Sequence, residues 1–75
     1  MPNVIPILRN RLRAERSHRR LSQDELAALA GVTRQTISSI ENYQYVPSAQ
    51  LAFLLAARLD VEIGNLFFLE EGRDD

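Results

Sequence analysis

A chain of 75 residues, 45% of them hydrophobic and none cysteine, makes one small domain with a thin core that a second copy would support, without disulfides or a thiolate zinc site. Its longest apolar runs fall far short of a bilayer span and its amino end lacks a signal pattern, so a soluble cytoplasmic protein without metal or cofactor is expected. The net charge of −1 hides an asymmetry, since residues 1–40 sum to +4 and residues 41–75 to −5; this fits a protein with one side turned to nucleic acid.

Along the chain, NVIPIL at residues 3–8 is apolar, and Pro6 keeps it out of a helix interior. It is either a short edge strand or a lead-in to a first helix running from about Leu8 to Arg19. Leu8, Leu12 and Ile5 would face inward there, and most of its arginines would form a solvated face. His18 has no ligand-type neighbour at metal spacing and belongs on the surface. Leu21 can staple the next helix, which Ser22 and Glu25 open as a capping box. Leu26, Leu29 and Ala30 follow on one helical face. Gly31 suits a left-handed cap, Val32 plugs the turn, and the Thr33 hydroxyl can cap a further helix at about 33–43.

In that helix Ile37 and Ile40 share one side. Gln35, Ser38, Ser39 and Asn42 lie roughly opposite, flanked by Arg34 and Thr36. Amides, hydroxyls and one guanidinium are the groups that read donor and acceptor patterns in the major groove. Small Ala27 suits a close helix crossing. Residues 23–42 therefore carry a helix-turn-helix signature at the caps, the turn, the core spacing and the exposed face.

Further on, Val46-Pro47-Ser48 ends a loop, with Ser48 as cap. Leu51, Ala52, Leu55, Ala56 and Leu59 form an inward stripe. Leu54 is expected to be exposed in a monomer, with Phe53 available to fold back into the core. Asp60 takes a turn, and Val61 to Phe67 gives a short fifth helix. Phe67, Phe68 and Leu69 in succession exceed what one small domain can bury, and a leftover apolar cluster of this kind marks an interface.

The motifs LSQDELA, AGVTRQTIS, IEN and PS resemble the lambda Cro and repressor (Xre-type) family over about Leu8 to Phe67, and in particular its small stand-alone homodimeric members. The resemblance implies an all-α, five-helix lambda-repressor-like domain spanning residues 1–75. A two-stranded β element from the terminal segments is compatible with it, Leu66–Glu70 pairing with Val4–Ile7 or with a symmetry mate. Arg34, Gln35, Ser38 and Ser39 are expected to read bases. Gln23, Thr33, Thr36, Asn42 and Tyr43 are expected at phosphates, and Arg16 with Glu41 is expected as a structural ion pair. Dimerisation is expected through residues 61–71 with Leu54, hence Leu54, Ile63, Leu66, Phe67, Phe68 and Leu69. Where the family often carries glycine, this chain has Arg19-Arg20, Tyr43 and Asp60. It also lacks the family's lysine after the recognition helix.

The implied function is double-stranded DNA binding at a near-palindromic operator as a homodimeric repressor. The alternative is an antitoxin-like module that binds a protein partner and represses its own operon. Enzyme chemistry is not expected, because one histidine and no phosphate-binding glycine loop leave nothing to carry a reaction.

Overall fold

The computed structural model describes residues 6–71 and contains β1 (Pro6–Asn10), α1 (Leu12–His18), α2 (Gln23–Ala30), α3 (Arg34–Glu41), α4 (Ala49–Leu59), α5 (Ile63–Leu66) and β2 (Phe67–Glu71). The expectations for Val4 and Ile5 lie outside these residues. The two strands pair antiparallel, from Pro6 opposite Glu71 to Asn10 opposite Phe67. This register differs from the expected one and takes in the start of the expected first helix. Asn10 sets the boundary. Its side-chain oxygen accepts the Leu12 N–H at 3.1 Å, and its amide donates to the Ile40 carbonyl at 3.1 Å. One residue thus opens α1 and ties β1 to α3. The fifth helix also stops early, at Leu66, because Phe67 is already extended at φ −127° and begins β2.

Local chemistry fixes the helix starts. The Ser22 hydroxyl accepts the Glu25 N–H at 3.0 Å while the Glu25 carboxylate accepts the Ser22 N–H at 2.9 Å, closing the capping box. Both bonds hold the Glu25 carboxyl below its ordinary value, the backbone bond most strongly. The Thr33 and Ser48 hydroxyls accept the Thr36 and Leu51 N–H groups at the heads of α3 and α4.

The ends of α1 to α4 share one device. After each helix a residue with positive φ turns the chain, and the next N–H reaches back five residues: Leu21 to Arg16, Val32 to Ala27, Gln44 to Ser39, and Val61 to Ala56. The turning residues are Arg20 (φ 56°), Gly31 (φ 67°), Tyr43 (φ 61°) and Asp60 (φ 55°). Only one is glycine, so the other three bear the steric cost of a Cβ in the left-handed region. Arg20→Gly is expected to stabilise the domain by up to about 1 kcal/mol, because relief of that cost exceeds the extra entropy glycine gives the unfolded chain. Thermal unfolding should show a rise of a few degrees; a fall would mean the arginine side chain contributes more than its backbone costs.

The core is assembled from Leu12, Leu26, Ile37, Ile40, Leu55, Leu59 and Leu66, all fully buried. Small Ala27, Ala30 and Ala56 fill the spaces where helices approach closely. Three expectations are corrected here. Leu29 is 46% exposed; it lies beyond the edge of the Leu26–Ala27–Ala30 stripe, and its carbonyl accepts the Arg58 Nε–H at 2.8 Å. Leu54, expected to be exposed, packs partly against the core, while Phe53, which could have folded back, stays 60% exposed. Leu66 and Phe67, expected at an interface, are buried within the single chain, so they are unavailable as contact surface.

Candidate nucleic-acid interface

Helix α3 is anchored on one side by buried Ile37 and Ile40, and it leaves Arg34 and Gln35 exposed with Ser38 and Ser39 half-buried. Side chains one turn apart support each other on this face. Gln35 Nε2 donates to Ser39 Oγ at 3.3 Å, and Asn42 Nδ2 donates to Ser38 Oγ at 3.4 Å. Thr33 and Thr36 hydroxyls share a hydrogen bond at 3.0 Å beside the head of the helix. An open hollow lined by Gln35, Thr36, Ser39 and Tyr45 continues the face. Tyr45 therefore borders the polar face of α3. From the sequence, Tyr45 is open between a phosphate contact and packing against the domain, because nothing local fixes which way a loop tyrosine turns.

Behind this face lies a charged junction centred on Glu41. Its side chain is fully buried. Arg16 donates from Nε to Oε2 at 2.8 Å and from Nη2 to Oε1 at 3.2 Å, and also from Nη1 to the Leu21 carbonyl at 2.8 Å. Gln23 Nε2 donates to Glu41 Oε1 at 3.1 Å, and Arg13 Nε reaches the same oxygen at 3.4 Å. Burial pushes the Glu41 carboxyl upward. The hydrogen bonds from Arg16, Gln23 and Arg13, with the Arg16 charge, outweigh it and leave the group below its ordinary value. No buried polar side-chain atom among the described residues lacks a partner. The junction thus links α1, the head of α2 and the tail of α3.

Gln23 also accepts from Arg34 Nε at 3.4 Å, so the first residues of α2 and α3 are bridged. Tyr43 packs towards β1 instead. Its hydroxyl donates to the Asn10 carbonyl at 3.4 Å, and its ring lies 5.1 Å beneath the Arg9 guanidinium. The tyrosine links the end of α3 to β1.

A model of the helix-turn-helix family matches residues 12–66 of the chain. The chain belongs to the Xre-type helix-turn-helix family. Such a regulator is a DNA-binding protein of transcription control and not an enzyme. An uncharacterized HTH-type transcriptional regulator of Methanocaldococcus jannaschii is 41% identical over 64 residues, covering 85% of this chain and 97% of that protein. The uncharacterized regulator YgzD of Bacillus subtilis is 36% identical over 64 residues, covering 85% and 97%. Among solved structures, the restriction-modification controller protein C.AhdI from Aeromonas hydrophila superposes with a TM-score of 0.72 at 38% identity, covering 76% of this chain and 83% of its own. The five helices of this chain fall within the residues matched by the family model, and the strand pair flanks them. No helix among the described residues is long and apolar enough to cross a membrane.

Proposed function

We propose that this family member is a homodimeric repressor that binds a near-palindromic operator. The observation that carries the reading is the row of Arg34, Gln35, Ser38 and Ser39 on a helix anchored from behind by Ile37 and Ile40. Arg34 suits the O6/N7 edge of guanine and Gln35 the N6/N7 edge of adenine. Gln23, Thr33, Thr36 and Asn42 bracket the row and would donate to phosphates, fixing the register that base contacts then exploit.

A single reading helix covers too few base pairs to select one genomic site. Two copies related by a two-fold axis double the readout and require half-sites roughly 34 Å apart. The outer side of the strand pair supports such pairing. It carries Ile7, 48% exposed, and partly buried Phe68, while Leu69, 69% exposed, lies on the other face opposite Leu8 and adds apolar surface at the edge. Leu69→Glu is expected to shift the protein from dimer to monomer at micromolar concentration in sedimentation equilibrium. An unchanged dimer would move the interface elsewhere, with exposed Phe53 the next place to look.

The deciding experiment is titration of labelled duplex from the gene's own upstream region, at two salt concentrations, against a scrambled control. Binding of two chains per duplex to the native sequence alone supports an autoregulating dimer. Equal, strongly salt-dependent binding to both would place the operator elsewhere. No binding to either would favour the protein-binding module.

A further inference from the structure

We infer that Arg13 is a DNA phosphate-binding residue, supplied from α1 to the far end of the recognition helix. The inference rests on the proposed docking of α3 in the major groove. From Gln35 to Ala57 the sequence contains no lysine, arginine or histidine, so the tail of α3 and the loop after it bring no cation of their own. The carboxyl end of a helix also carries partial negative charge. A phosphate near Asn42, the residue that caps α3, would therefore meet an unfavourable field unless another element corrected it.

Arg13 is placed to do so. Its Nη2 donates to Asn42 Oδ1 at 3.3 Å, while its Nε reaches Glu41 Oε1 at 3.4 Å. The Glu41 charge is already matched by Arg16, whose side chain is only 13% exposed and which makes the shorter contacts. Two guanidinium groups and one carboxylate leave an excess of one positive charge. That excess sits on Arg13, whose side chain is 63% exposed. It borders an open hollow of about 390 Å³ between α1 and the end of α3, also lined by Asn10, Ala14 and Tyr43. By engaging the Asn42 oxygen, Arg13 also fixes the amide nitrogen as the donor end, one N–H of which meets Ser38 Oγ at 3.4 Å while the second is left to donate to a phosphate. A charged donor and an oriented amide side by side suit a backbone phosphate and carry no base information.

The test is fluorescence anisotropy with a scrambled duplex and the upstream duplex across a salt series, using wild type, Arg13→Gln, Arg13→Lys and Gln35→Ala. Arg13→Gln should weaken binding to both duplexes alike and make the log–log salt slope shallower by about 0.9 per protomer. Arg13→Lys should retain the wild-type slope, and circular dichroism should show both variants folded. An unchanged slope in Arg13→Gln, or a loss in Arg13→Lys equal to it, overturns the assignment, since a purely structural arginine alters affinity without altering ion release. Failure of the parent reading looks different. Gln35→Ala would then leave the ratio between the two duplexes unchanged, while the slope on scrambled DNA still decides the role of Arg13.

Discussion

Replacing Glu41 with alanine is expected to remove about 3–5 kcal/mol of stability, because it strands the Arg16 guanidinium in a site built around a carboxylate. Arg16 is nearly buried and makes two of its hydrogen bonds to Glu41. Gln23 and Arg13 lose an acceptor in the same step. For a domain of this size total stability is about 4–11 kcal/mol, so the loss takes a large fraction of it and leaves the variant partly unfolded at room temperature if the total lies at the low end. Urea denaturation followed by circular dichroism measures this directly. A loss below about 1 kcal/mol would show that water reaches Arg16 and replaces the carboxylate.

The pH dependence follows from the same group. The folded-state pKa of Glu41 lies below its ordinary value of 4.5, so its contribution is complete above that value. The contribution is lost as pH falls through the lower folded value. Glu41→Gln should flatten this acid limb while leaving the neutral side of the profile in shape. A buried ion pair is costly to break but not to replace whole. Arg16→Met combined with Glu41→Leu should accordingly be far less harmful than either single truncation.

The second large effect concerns reading rather than folding. Gln35→Ala should cost about 1–3 kcal/mol per half-site at the operator and relax preference at one base position. In a homodimer the loss is taken twice. Gln35 is exposed and its only side-chain bond among the described residues is to Ser39 at 3.3 Å, so stability should change little. Measured against a panel of single-base operator variants, the loss should concentrate at one position in each half. A uniform loss on operator and random duplex would remove Gln35 from base reading. Gln23→Ala supplies the contrast, with a loss spread over all DNA.

The helix-turn-helix was legible because its determinants are short-range. Ser22 with Glu25, Gly31, Thr33 and Ser48 each act within a few residues. The strand pair was much less legible. Leu8 and Arg9 fit a helix pattern as well as a strand, and only Leu69 and Phe68, far along the chain, decide between them. Periodicity does not tell which of Phe53 and Leu54 packs inward, because both flank the inward stripe of α4. Their placement depends on what α2 and α5 leave uncovered, and helical periodicity does not contain that information. Arg13 looked like one of several solvated arginines. Its relation to Asn42 appears only when α1 lies across the tail of α3.

The strand pair joins opposite ends of the described chain, whereas the capped helices form from neighbouring residues. Contacts of such long sequence separation form late in folding and open early. Native-state hydrogen exchange should therefore find the strand amides exchanging through a partial opening that leaves Leu26 and Ile37 protected. In that opened form Asn10 and Tyr43 release the end of α3. Pairing of two chains through the strands would slow this exchange, making protection there a concentration-dependent report of self-association.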